Sequence, residues 1–292
     1  MRISKLEDYE LLDASSGQKL ERFGEIVLIR PDPQIIWKTK KTHPLWNKAH
    51  AVYHRSKSGG GQWEVLKKIP DVWSISYKSL KFRLKPMGFK HVGIFPEQAV
   101  NWDFITDIVS KSEKKLKILN LFAYTGGATM AALNAGASVC HVDASKGMTL
   151  WAKENVNESG LQNGDVRFLV DDCIKFVQRE KRRGNFYDGI IMDPPSYGRG
   201  PGGEIWKLEE KLFSFLVFCS EILAKDAKFL ILNSYTTGLS AAVMEYLLNA
   251  TIKPSRKGHV QASEIGLPVS ASGLILPCGS TAIWTKQQSC NL

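Results

Sequence analysis

Nothing in the 292-residue chain approaches the run of about 20 apolar residues that a membrane-spanning helix needs, so no membrane partner is expected. The opening stretch, MRISKLEDYELLDASSG, is acidic and has no apolar centre, which predicts no signal peptide. The five cysteines (Cys140, Cys173, Cys219, Cys278 and Cys290) form no C-x-x-C and no metal-ligand spacing, so no metal site is expected. Three of them fall in predicted strands or helices, where a free thiol serves as a small core residue. A reducing, cytoplasmic location follows as an expectation. The G-x-G-x-x-G fingerprint of a dinucleotide site and the G-K-[ST] of a phosphate-cradling loop are both missing. There is no internal repeat and no long low-complexity linker.

What is present is an ordinary globular composition, 43% hydrophobic, with a formal net charge of +10 that is unevenly spread. Residues 1–100 hold 18 Lys and Arg against 10 Asp and Glu, while residues 101–292 hold 21 against 19. The excess lies within Ile26–Lys90, where Trp37, Trp46, Tyr53, Trp63, Trp73, Tyr77 and Phe82 are interleaved with the cations. Cations that meet phosphates and rings that stack on bases make this a candidate nucleic-acid surface. The alternative is a solvated basic face over a small β core. Tyr9–Leu12, Glu21–Ile29 and Gln34–Lys38 read as short strands, Lys57–Gly61 as a loop, and Trp73–Tyr77 with Lys81–Pro86 as a hairpin. Residues 1–90 thus read as a small, mostly β domain, and residues 91–292 as a second domain.

In the second domain strands and helices alternate. A helix is expected over Ala99–Ser110, and further helices over Ser145–Glu158, Cys173–Arg182, Trp206–Leu223 and Leu239–Leu248. Strands are expected at Ile118–Phe122, Ser138–Val142, Val166–Val170, Tyr187–Met192 and Lys228–Leu232, with an antiparallel edge pair near Gly258–Ala262 and Thr281–Thr285. This alternation predicts an α/β fold with a doubly wound, mainly parallel sheet, whose ligand lies at the carboxyl ends of the strands.

Those ends carry specific residues. After the first strand comes Tyr124-Thr125-Gly126-Gly127, whose glycines let a ligand approach the backbone. The second strand ends at Asp143, placed to accept two ribose hydroxyls, with Ser145 a plausible N-cap. A ribose-containing cofactor without phosphate fits this unit, and S-adenosylmethionine is the common one. The alternative is a plain tight turn and a surface acid. The third strand ends at Asp171-Asp172, either of which could accept from an adenine amino group, while one of the two would cap the next helix. The fourth ends at Asp193-Pro194-Pro195-Ser196-Tyr197. Two prolines fix the backbone and leave carbonyls to face a pocket, Asp193 adds an acceptor, and Tyr197 could stack on a base. A Pro-Pro loop that merely ends a strand is the alternative.

Asn120-x-Phe122-x-Tyr124-Thr125-Gly126-Gly127, Val142-Asp143-x-Ser145 and Asp193-Pro194-Pro195-Ser196-Tyr197, in this order, resemble the bacterial class I S-adenosylmethionine-dependent 23S rRNA methyltransferases. The resemblance covers about residues 90–235. It implies a Rossmann-like, seven-stranded methyltransferase sheet behind a small N-terminal β domain, S-adenosylmethionine as cofactor and ribosomal RNA as partner. His91-x-Gly93-x-Phe95-x-x-Gln98 resembles the family segment that closes over the cofactor, which implies Phe95 near the adenosine and Gln98 near the methionine part. Members that methylate cytosine C5 carry a cysteine just after the fifth strand. Here that place reads Asn233-Ser234-Tyr235-Thr236-Thr237, so transfer to a base nitrogen is expected, with Asp193 and the Pro194 carbonyl orienting the target. A methyltransferase of the same fold acting on a small molecule or protein is the competing reading. The sequence sets no oligomeric state.

Overall fold

Short strands punctuated by glycine build the front of the chain. The computed structural model describes residues 1–56, 60–200, 202–236 and 238–286. Lys57–Gly59 of the expected loop, Thr237 and Cys290 lie outside the described residues. After the two-residue β1 (Arg2–Ile3) come β2 (Tyr9–Ser15), β3 (Gln18–Phe23), β4 (Ile26–Pro31), β5 (Ala51–Arg55), β6 (Gly61–Val65), β7 (Trp73–Tyr77) and β8 (Leu80–Leu84). Strands β2 to β6 form one sheet in sequence order, and β7 pairs with β8 as expected. The single strand expected over Glu21–Ile29 is two. Gly24, at φ +60°, supplies the left-handed turn between them. Gln34–Lys38 is not a strand, because its carbonyls are claimed by a turn: Ser16 N and Gly17 N donate to Trp37 O and Ile35 O at 2.8 and 2.9 Å.

These residues, Ile3–Val100, make one compact unit together with a distant segment, Ile265–Cys278. Ser270 N and Ala271 N donate to Leu11 O and Leu12 O, each at 2.9 Å, and Ser270 Oγ donates to Glu10. The unit buries an ion pair in its sheet. Arg30 Nε and Nη2 donate to the two carboxylate oxygens of Glu21, both at 2.7 Å, and Tyr9 Oη donates to the same group at 2.9 Å. Burial pushes the Glu21 carboxyl up, but the charges of Arg30 and Lys19 outweigh it and bring it down to about 2.

The second unit holds Met1–Arg2, Asn101–Glu264 and Gly279 onward. Its elements, of which α1, β16 and β17 have one end in the first unit, are α1 (Ala99–Ser110), β9 (Lys117–Leu121), α2 (Gly127–Asn134), β10 (Ser138–Asp143), α3 (Lys146–Glu158), β11 (Val166–Val170), α4 (Cys173–Arg183), β12 (Gly189–Met192), β13 (Tyr197–Arg199), β14 (Ile205–Lys207), α5 (Leu208–Glu221), β15 (Phe229–Ser234), α6 (Ala241–Thr251), β16 (His259–Pro268) and β17 (Ile275–Thr285). The sheet runs β11-β10-β9-β12-β15-β17-β16-β1. It has the seven expected strands plus the short β1 at its edge. Strands β9 to β12 and β15 pair in parallel, and β17 runs antiparallel to β15. Strand order reverses between β9 and β12, the switch point at which ligands lie in open α/β sheets.

Period-two alternation sorts the sheet's faces. Leu119, Leu121, Cys140, Val142, Ile190, Met192, Leu230 and Leu232 form one core with Phe176, Phe215, Leu216 and Met244 from α4, α5 and α6. On the opposite face Asn120 sits in register between His141 and Ile191, beside α2. The helix expected from Trp206 starts two residues later, because Trp206 pairs with Gly198 in the β13–β14 hairpin.

Exchange of Glu21 for Gln leaves the Arg30 charge buried without a counterion, and unfolding by urea is expected to show a loss of about 3–5 kcal/mol. In the wild type the depressed carboxyl means that this contribution is present above the carboxyl's ordinary value of 4.5 and disappears as pH falls toward about 2. The E21Q variant should lack that acid transition.

Candidate cofactor site

Four adjacent parallel strands, β11, β10, β9 and β12, end side by side, so the loops that follow them share one edge of the sheet. On these loops lie Asp171 and Asp172, Asp143 and Ser145, Tyr124 to Gly127, and Asp193 to Tyr197. The topology therefore brings together the expected residues of the second unit. Phe95 and Gln98 belong to the first unit. Phe95 precedes a 3-10 turn, Pro96–Gln98, with its ring 5.0 Å from that of His91, and Gln98 is buried.

Asp143 ties two loops together. Its Oδ2 accepts from Tyr124 N and its Oδ1 from Ser145 N, both at 2.8 Å. Burial pushes the carboxyl up, and the two backbone donors partly offset this. An ionised carboxylate has about four acceptor directions, so two stay available for hydroxyl donors. Ser145 caps α3, its Oγ accepting from Met148 N at 3.3 Å.

The turn between β9 and α2 is unusual in its backbone. Phe122 (φ 52°), Tyr124 (φ 50°) and Gly126 (φ 87°) alternate through the left-handed region, which bulky residues rarely enter. Such conformations persist where the surroundings over-determine them. Phe122 N donates to Cys173 Sγ at 3.4 Å, and the Phe122 ring packs 5.1 Å from Trp206 and 5.8 Å from Phe215. Thr125 O accepts from buried Asn155 Nδ2 at 2.8 Å. The glycines have an internal reason as well as the expected ligand-facing one. A Cβ at Gly127 would stand 2.8 Å from the Trp102 ring, and one at Gly126 3.0 Å from Ala152.

A buried polar chain underlies this turn. Asn120 Nδ2 donates to Thr129 Oγ1 at 3.0 Å, and Thr129 Oγ1 lies 2.9 Å from His141 Nδ1. Burial lowers the His141 ring to about 3, so it is neutral, and its Nε2 has no partner among the described residues. The signal for it in the sequence is a polar residue in the middle of each of two apolar strands.

At the third strand, both aspartates have structural work. Asp172 caps α4 by accepting from Lys175 N at 2.8 Å, while Asp171 is paired with Arg179. At the fourth, Pro194 is buried and Asp193 half-buried. The carbonyl of Pro195 accepts from Trp206 Nε1 at 2.6 Å, and Ser196 Oγ bonds Thr236 Oγ1 at 2.8 Å. Tyr197 is 53% exposed at the start of β13.

A parallel sheet with this strand order, a glycine turn after its first strand and an acid after its second defines the class. Residues 37–244 match the S-adenosylmethionine-dependent methyltransferase family, and the chain belongs to it. A crystal structure of the SAM-dependent methyltransferase from Agrobacterium tumefaciens is 36% identical, covering 98% of this chain and 93% of that one, with a TM-score of 0.93. A protein from Streptococcus mutans, provisionally assigned to the SAM-dependent methyltransferases, shares the fold at 16% identity, with a TM-score of 0.74 over 97% of this chain and 76% of its own. Ribosomal RNA large subunit methyltransferase K/L of Shewanella baltica is 34% identical over 118 residues, which is 40% of this chain and 16% of that protein. Its counterpart from Colwellia psychrerythraea is 27% identical over 217 residues, 68% of this chain and 29% of its own. The chain thus spans less than a third of the length of these curated relatives.

Two substitutions test how the turn is held. Gly127→Ala drives a methyl into the Trp102 ring and should cost about 1–3 kcal/mol. Thr129→Val strands the polar groups of Asn120 and His141 and should cost a similar amount. Thermal unfolding reads both.

Proposed function

We propose that this protein transfers a methyl group from S-adenosylmethionine to a base nitrogen of ribosomal RNA. The observation that carries the choice of atom is the state of the thiols. Cys140, Cys173, Cys219 and Cys278 are all buried. Burial pushes each thiol up, Cys140 to about 11 and Cys173, Cys219 and Cys278 well above their ordinary range. None of these four is a thiolate at neutral pH. Methylation at a pyrimidine C5 needs a nucleophile added at C6, whereas a base nitrogen attacks with its own lone pair.

The donor set fits the cofactor. Asp143, with two acceptor directions spare, takes the ribose hydroxyls. Tyr124, Thr125, Gly126 and Gly127 line the adenosine side, and Ser145 fixes the far loop. One of Asp171 and Asp172 accepts from the adenine amino group. Asp171 already serves Arg179 and Asp172 already serves Lys175 N, so the role falls to a remaining lone pair. Phe95 and Gln98 are assigned by family likeness alone. S-adenosylmethionine supplies, when bound, a methyl on a positively charged sulfur that needs no further activation. Positioning then provides much of the rate. Asp193 and the Pro194 carbonyl orient the target amino or ring nitrogen, the Pro194–Pro195 pair keeps that loop stiff, and Tyr197 stacks on the base.

Residues 1–90, with the Ile265–Cys278 segment of the same unit, are the RNA-facing domain in this reading, the rest of residues 91–292 the catalytic one, and the cytoplasm the place of work. The relatives named for ribosomal RNA and the basic, aromatic front of the chain support the partner.

Asp143→Asn should weaken S-adenosylmethionine binding about 10- to 100-fold in calorimetry. Wild-type affinity should fall on acidification from a pH above the ordinary carboxylate range, because a protonated Asp143 loses acceptor capacity, and the Asn variant should not show that fall. Incubation with ribosomal RNA from cells lacking base methylation, followed by nucleoside mass analysis, should yield an N-methylated base. Recovery of 5-methylcytidine would overturn the assignment.

A further inference from the structure

The parallel strands have a second set of ends, away from Asp143 and Asp193. Before β12, β15 and β16, and after the antiparallel β17, Phe186, Lys225, Arg256, Lys257 and Lys286 surround an open cleft of about 650 Å³ floored in part by Trp284. With strands of four to six residues, this edge lies about 15 Å from the cofactor edge.

The cleft carries excess positive charge. Lys286 is paired with Asp226. Lys225 and Lys257 have no carboxylate within 4.0 Å among the described residues. Arg256 faces only carbonyls: its Nη1 donates to Ala224 O at 2.7 Å and its Nη2 to Ser220 O at 3.2 Å, at the end of α5. Two buried donors in the wall, Arg256 Nε and Trp284 Nε1, have no acceptor among the described residues. Phe186 presents a ring that is 52% exposed beside these cations.

We propose that this cleft is a second RNA-contact site, which holds a backbone phosphate near Lys225, Lys257 and Arg256 and a neighbouring base against Phe186. The inference rests on the RNA reading above. Chemistry selects a polyanion over a small anion. A small anion needs converging, preformed donors in an enclosed site. Flexible lysines on an open rim, next to an exposed ring, suit a strand whose binding gains from counterion release and stacking. An RNA held here and at the Asp193 edge touches both ends of the sheet.

The test uses the intact protein and a fluorescein-labelled single-stranded RNA of about 30 nucleotides, a length that covers several contact sites. Lys225→Glu with Lys257→Glu should weaken binding at least 10-fold at low salt and lower the salt slope by about 2. Phe186→Ala, which changes no charge, should weaken it about 5-fold or more. S-adenosylmethionine binding should be unchanged in both. Wild-type RNA affinity and salt slope in the variants would overturn the inference and leave the proposed function standing. So would binding of inorganic phosphate or AMP that is lost in the variants while RNA affinity is kept. A wild type with no RNA affinity at all overturns both.

Discussion

One carboxylate organises the edge of the sheet at the carboxyl ends of its parallel strands. Asp143 ends β10 and takes one backbone N–H from Tyr124 in the turn after β9 and one from Ser145, two residues on in its own loop. Without it, two turns that approach each other would each expose a donor at the mouth of the sheet. Its desolvation is unfavourable, and the two N–H groups offset part of that cost while fixing the direction of its remaining lone pairs. The same bond holds Tyr124 in a left-handed conformation that its side chain does not favour. A group that stabilises a strained turn and keeps acceptors to spare suits the ribose-binding role proposed for it.

The support beneath that carboxylate differs on the two faces of the sheet. One face is apolar, with Phe122, Trp206 and Phe215 stacked under the loop after β12. Trp206 also ties down the Pro195 carbonyl, so the Pro-Pro segment is anchored from below. The other face carries the Asn120–Thr129–His141 chain, which binds β9, α2 and β10 to each other in a defined register. Buried polar groups specify geometry only when their partners are in place, and here each link joins a different element.

The larger fold was legible because its central strands are largely buried and so read as apolar runs, most of them closed by a polar residue of particular type. Asp143, Asp172 and Ser145 could be placed on loops by that rule, and Asp172 and Ser145 prove to be helix caps. The β13–β14 hairpin was not legible. Trp206 looks like the first apolar residue of a helix, and only pairing with Gly198 makes it a strand residue. Strands β5 and β6 were missed because AVYHR and GQWEV mix polar and apolar residues at a half-exposed edge. Strands β16 and β17 are about twice the length expected, since Ser263-Glu264 and Pro277-Cys278-Gly279 break their patterns without ending their pairing. The ion pair of Glu21 and Arg30 gave no signal, because charged residues on neighbouring strands read as solvated until their burial is known.

The segment Ile265–Cys278 belongs with the first hundred residues although it is encoded near the end of the chain. During synthesis the front sheet therefore emerges from the ribosome without its last piece. Leu11 and Leu12 hold out carbonyls for partners more than 250 residues downstream. At translation rates of about 5–20 residues per second, that wait is on the order of ten seconds or longer. The intervening parallel strands can assemble in the meantime, but the α/β sheet also waits for β17, so both units are closed by the same late stretch of polypeptide.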